Sequence, residues 1–210
     1  MKLYYFPVAP NPTKVRLFLA EKAAAGYPIA IEEVAVSLVD GAQRSPEHTA
    51  RNPMKRLPVL ELDDGSYIPE SLPIMEYLEE LYPEPSLIGR TPRDRAQIRS
   101  MERMIETGIM NRIAAYVHAT NSPIGVPPSE DAATRAREGL DQALPILEQF
   151  FGDGREFAAG DAPSIADCTL AAGFQFGRFG QLEAVQGYPR LVEWDFRYRE
   201  RPASKAVLLG

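Results

Sequence analysis

The stretch RNPMKRLPVLELDDGSYIPES, residues 51–71, sets a proline before an apolar run, then an Asp-Gly pair, a second short run, and an acid and a serine that open a helical pattern. The two runs, 59–62 and 66–68, flank Asp64-Gly65. That is the strongest short-range hairpin signal, because both residues tolerate the positive φ of a tight turn. From 71 to 82, SLPIMEYLEELY repeats apolar residues at helical spacing. The segment therefore reads as a hairpin followed by a helix. Pro58 has two readings: the first residue of an edge strand, where its missing N–H does no harm, or a cis bond in a tight turn, as in about 5–6% of X-Pro bonds. Judged locally, the edge strand is the simpler of the two.

Working outward, KLYYF at 2–6 is aromatic and stopped by Pro7, which suits a short strand. TKVRLFLAEKAAA at 13–25 reads as a helix ended by Gly26 and Pro28, and IAIEEVAV at 29–36 as a second strand. A strand-helix-strand order implies a parallel pair. The polar segment 40–53 has room for one short helix. In the other direction PEPSLIGRTP, 83–92, has linker composition. Beyond it the patterns are helical: 93–119, with Ile98, Met101, Ile105, Ile109, Ile113 and Val117 on one stripe, then 130–151, 164–178 and 188–208. The expected fold class is α/β plus all-α, with a domain at 1–82, a linker at 83–92 and an all-helical domain at 93–210. Ser164 and Asp167 read as a capping box, a folding element outside any site.

The 45% hydrophobic content of the 210 residues is enough to fill sizeable cores. Twenty-three basic and 29 acidic residues give a net charge of −6, with the signs interspersed. This argues against nucleic acid or an anionic membrane as partner. MKLYYFPVAP lacks a signal-peptide pattern, and no apolar window of about 18 residues occurs, so a soluble, cytoplasmic protein is expected. One cysteine excludes an internal disulfide, and with only His48 and His118 beside it a multi-ligand zinc site is not expected. Cys168 lies in an apolar helical stretch and reads as a buried, inert thiol.

Three separated motifs in order, NPMKRLPVLELDDGSYIPES, EYLEELYP and PSIADCTLAA, make the whole chain resemble the cytosolic glutathione S-transferase family, with a bacterial, theta-like or nu-like flavour. The resemblance implies an N-terminal thioredoxin-like βαβ-ββα domain and a C-terminal helical bundle domain. It also implies a homodimer using glutathione as co-substrate, no metal, and a small electrophilic or disulfide substrate. Within that resemblance Leu57, beside a cis Pro58, pairs with the cysteinyl backbone of glutathione by strand addition. Ser71 and the free N–H groups of its helix receive the γ-glutamyl carboxylate, and Glu70 receives the ammonium. Arg56 and Gln43 meet the glycyl carboxylate, with Lys55 a lesser candidate. Read from the residues alone, Glu70-Ser71 is a helix cap with an acid beside it, and the other three are surface polar groups.

A thiol with a pKa of about 8.5 is only a few per cent ionised at pH 7, and lowering it by two units takes about 2.7 kcal/mol. One or two hydrogen bonds to the charged sulfur, worth about 1.5–3 kcal/mol each, match that requirement. Aligned on YFPVAPNPTKVR, the serine of theta-like and the cysteine of beta-like enzymes fall on Pro10, and the threonine of nu-like enzymes falls on Ala9. The nu-like asparagine is matched by Asn11, and the tyrosine of pi-like enzymes by Tyr5. Asn11, aided by backbone N–H groups at the helix start, is preferred to Tyr5, with Thr13 a fallback. Conjugation to an electrophile ranks first, glutathione-dependent disulfide reduction second, and a non-catalytic binding module third. An acceptor pocket between the domains is expected around Met110, Ala114 and Val117, but these residues read as core rather than as pocket lining, and no acceptor site is assigned.

Overall fold

In a computed structural model, residues 1–209 are described; residue 210, the last of the expected helical domain, lies outside them. Aromatic and β-branched residues build a 4-stranded sheet of order β2-β1-β3-β4. β1 (Lys2–Tyr5) runs parallel to β2 (Glu32–Ala35) and antiparallel to β3 (Val59–Glu61), which forms the expected hairpin with β4 (Tyr67–Pro69). Gly65 takes φ 83 in the turn, and the Asp64 carboxylate accepts from the Ser66 N–H at 2.9 Å. Side chains alternate across the sheet. Leu3 and Leu60 join the main core with α1 (Pro10–Ala24) and α3 (Ser71–Leu81), while Tyr4 and Val59 face Val36 on the other side.

The crossover helix α1 begins three residues before the expected start at Thr13. Pro10 is its first residue, where a missing N–H has no intrahelical partner to lose. The second strand is shorter than the expected 29–36. The polar segment after it holds a 3₁₀ turn (Ala42–Arg44) and α2 (Pro46–Arg51), capped by Ser45. β3 lies between β1 and β4, so Pro58 does not begin an edge strand.

The helical part comprises α4 (Pro92–Ile105), a π-turn (Glu106–Met110), α5 (Asn111–Thr120), α6 (Glu130–Phe150), α7 (Ile165–Phe179), α8 (Pro189–Arg199) and α9 (Pro202–Val207). The stripe from Ile105 to Val117 repeats every fourth residue, which drifts about 40° per step on an ideal helix. The wider π-turn absorbs part of that drift, and Ile105, Ile109, Ile113 and Val117 are all buried. α7 is buried throughout Ile165–Gly177 and forms the centre of this part. A β-carbon at Gly180 would sit 2.4 Å from Val117, and one at Gly173 3.2 Å from Met110. Met110 and Val117 are therefore core residues packed under α7; Ala114 is partly exposed. The expected run 188–208 is broken because Pro202 disfavours a helical Arg201, which adopts ψ 145.

One helix ties the two parts together. Glu21 of α1 receives Arg201 at 3.0 and 2.7 Å, and Lys22 donates to the carbonyls of Tyr82 and Pro85 at 2.6 and 2.9 Å. The N-terminus of α7 is closed by the capping box of Ser164 and Asp167. Cys168 is fully buried, and burial pushes its thiol well above the ordinary range, as the inert reading expects.

Candidate functional site

The strand register gathers the candidate residues at one end of the sheet. β1 ends at Tyr5 while its neighbour begins opposite it, Tyr4 facing Val59, and β4 ends opposite the same residue, Pro69 facing Val59. The corner after β1, the Arg56–Leu57–Pro58 turn before β3 and the Glu70–Ser71 step after β4 therefore adjoin. β2 leaves at the same end, where the Val36 N–H donates to the Tyr5 carbonyl at 2.8 Å.

Two helices start here, and neither is closed. Pro10 and Pro12 have no N–H, and the Thr13 N–H and Oγ1 both donate to the Ala9 carbonyl, at 3.1 and 2.9 Å. Among the described residues this leaves the Asn11 N–H as the unpaired donor of the first turn. Ser71 Oγ donates to Asn11 Oδ1 at 3.2 Å, so both hydrogens of Nδ2 stay free. At the start of α3, Pro73 lacks an N–H and the Ile74 N–H is taken by the Glu70 carbonyl at 3.1 Å. The N–H groups of Ser71 and Leu72 have no partner among the described residues. Glu70 precedes the helix at φ 71 with no side-chain capping bond. The simple cap expected from the residues alone is not formed.

The Leu57–Pro58 bond is cis, and the N–H and C=O of Leu57 pair with nothing among the described residues. The turn is held from behind. The Arg56 carbonyl accepts from His48 Nε2 and Asn52 Nδ2, both at 3.1 Å, while Asn52 Oδ1 accepts from the Met54 N–H at 3.0 Å. A carbonyl only accepts, so Nε2 carries the His48 proton. Sequence reading overlooked both supports, although an asparagine beside a proline is a known turn former. Ala42 and Leu57 pack on the same Tyr4–Val36–Val59 cluster, which brings Gln43 to this turn. Gln43 is buried, and its Oε1 has no partner; Lys55 and Arg56 are exposed.

The Tyr5 ring lies under the Arg16 guanidinium, 4.7 Å from its centroid, and Arg16 is held by Glu33 at 2.9 Å. Its neighbour Tyr4 donates to Glu61 at 2.6 Å, and burial together with that bond raises the phenol to about 12. The corner thus presents two open helix N-termini, the free backbone N–H and C=O of Leu57, an unpaired acid and two amide groups. These complement an extended peptide with a carboxylate at each end.

Known proteins share this arrangement of elements. Family models described as glutathione S-transferase, N-terminal domain, and glutathione S-transferase, C-terminal domain, match residues 3–86 and 108–202. Glutathione S-transferase 2 of Saccharomyces cerevisiae is 33% identical over 99% of this chain and 89% of its own length. The maleylacetoacetate isomerase of Pseudomonas aeruginosa is 29% identical over 91% of this chain and 87% of its own. A crystal structure of a glutathione S-transferase domain-containing protein from Marinobacter aquaeolei superposes with a TM-score of 0.87 at 34% identity, covering 97% of this chain and 100% of that one.

Proposed function

Since the chain belongs to the glutathione S-transferase family and is an enzyme of that kind, we propose that it binds glutathione at the sheet-end corner and stabilises its thiolate for attack on a small electrophile. The observation that carries this reading is the Ser71–Asn11 hydrogen bond, which joins the open starts of α3 and α1. The γ-glutamyl carboxylate meets the free N–H groups of Ser71 and Leu72, with Glu70 beside them for the ammonium. The cysteinyl backbone pairs with Leu57, and Arg56 and Gln43 meet the glycyl carboxylate. The sulfur then faces the first turn of α1.

There Asn11 offers its N–H and Nδ2, and the dipole of a 15-residue helix adds positive potential. Two charge-assisted hydrogen bonds at about 1.5–3 kcal/mol each are of the size that thiolate formation needs. The missing serine or cysteine at Pro10 is thereby replaced. Tyr5 is the weaker candidate because Arg16 covers its ring. Once ionised, the sulfur attacks the electrophile, forming a carbon–sulfur bond as the leaving group departs with its electron pair.

We infer a cytoplasmic protein that works without metal, nucleic acid or membrane. The domain boundary is set at the linker 83–92, whose Pro85 carbonyl Lys22 clasps. A homodimer is supported by an apolar groove of about 270 Å³ between α4 and α6, lined by Met104, Gly108 and Ile146 among others. Light scattering of the purified protein checks the stoichiometry.

The test is retention on immobilised glutathione, followed by turnover of a model electrophile and a model disulfide. Retention with conjugation is expected, and Asn11→Ala should lower kcat about 30-fold while Tyr5→Phe changes it less than threefold. Turnover of the disulfide alone supports the reductase alternative. Retention without either turnover supports a binding module. The opposite ranking of the two variants moves the donor to Tyr5.

A further inference from the structure

Directly behind the corner lies a buried charge cluster that the proposed chemistry does not use. Lys14 is one turn beyond Asn11, on the same side of α1, because residues three apart are neighbours on a helix. Its side chain is wholly buried, and Nζ donates to Glu102 Oε1 of α4 at 2.9 Å and to Glu106, the first residue of the π-turn. Glu102 is wholly buried too and accepts from Thr169 Oγ1 of α7 at 3.0 Å. Arg103 reaches Glu106 from the surface side at 3.0 Å. α4 and the π-turn thus converge on one ammonium of α1, and α7 braces the Glu102 carboxyl.

Burial pushes the Glu102 carboxyl above the ordinary range against the pull of Lys14. For Glu106, burial is outweighed by Lys14 and the carboxyl is held below that range. Glu102 Oε2 is buried without a partner among the described residues.

Two further observations give the cluster a role in the site. α1 starts with no side-chain cap on Ala9, and prolines at 10 and 12 remove two of its first donors. The local ties of this turn are the two bonds from Thr13 to the Ala9 carbonyl, Ser71 holds the Asn11 amide from α3, and Lys14 is the tie from the same end of α1 to the helical part. The contact is made on a π-turn, an irregularity found frequently at functional sites.

We propose that Lys14 is a positioning residue for the glutathione thiol: seated on Glu102 and Glu106, it holds the first turn of α1 so that the Asn11 donors meet the sulfur. The inference rests on the glutathione reading of the corner and adds the residue that sets its geometry.

Lys14→Met combined with Glu106→Gln removes the ammonium together with one of its two carboxylate partners. The pKa of the bound thiol is read from thiolate ultraviolet absorbance against pH, alongside KM for glutathione and kcat. KM should stay within about threefold while kcat falls about tenfold and the thiol pKa rises about one unit. Lys14→Arg should recover most of kcat. A double variant that melts earlier but keeps the wild-type thiol pKa and kcat makes Lys14 a structural tie only and overturns the proposal.

If the double variant does not fold, Glu106→Gln alone decides. That change makes the cluster more positive, so electrostatics alone would lower the thiol pKa, whereas loss of positioning raises it. A fall, or no change, counts against the proposal. If the wild-type enzyme itself leaves the thiol pKa at the value of free glutathione, the glutathione reading fails and this inference with it.

Discussion

The starts of α7 and α3 are built from the same chemistry to opposite ends. At α7, Asp167 accepts from the Ser164 N–H and hydroxyl at 3.0 and 2.8 Å, the Ala158 N–H at 2.7 Å and the Trp194 indole at 3.2 Å. Both of its oxygens are occupied and it is wholly buried. At α3 no side chain caps the helix, two N–H groups have no partner among the described residues, and Ser71 turns its hydroxyl to the next open helix. A saturated helix end holds the fold together, and an unsaturated one waits for a ligand.

The contrast is broken most severely at Asp167. Asp167→Ala strands four donors in the interior and should cost about 3–5 kcal/mol, seen as an early thermal transition, while any protein that stays folded keeps its KM for glutathione. The same residue sets a pH dependence. Burial raises its carboxyl to about 6 from the ordinary 3.8, so the native state holds the proton more tightly than the unfolded chain. Its contribution to stability is complete below pH 3.8 and is lost as pH rises through about 6. The deficit of Asp167→Asn relative to wild type, followed by denaturant titration across that window, should therefore narrow as pH rises.

Ser71→Ala probes the open end and should do the reverse. It should raise KM for glutathione about tenfold, through one lost hydrogen bond to a charged group and a loosened Asn11, while the melting temperature barely moves. A large loss of stability with an unchanged KM would mean that α3, like α7, is closed for the sake of the fold.

How much of this was legible in the sequence follows the same division. Asp64-Gly65 and the Ser164–Asp167 box are local signals, and both appear in the structure where the sequence places them. The start of α1 was misplaced because Pro10 and Pro12 read as breakers, whereas a proline in the first turn of a helix is well tolerated. The π-turn left no mark on an apolar stripe that suits either helix type. Nothing in the residues around Lys14 marks it as buried, and only the packing of α1 on α4 and α7 shows that it is. His48 and Asn52 escaped for a similar reason: their partner is a backbone carbonyl that no residue type announces. Where the site needed residue types, the sequence supplied them; where it needed one element placed against another, only the fold could.

The central claim is that the open helix starts and the free Leu57 backbone are where glutathione sits. Titration of the isotope-labelled enzyme with glutathione, followed amide by amide by nuclear magnetic resonance, tests it most directly. The account predicts that the N–H signals of Asn11, Leu57, Ser71 and Leu72 shift first and furthest, while those of Ala166, Asp167 and Cys168 at the closed start of α7 stay in place. Saturable shifts that pass over those four amides and gather elsewhere would contradict it.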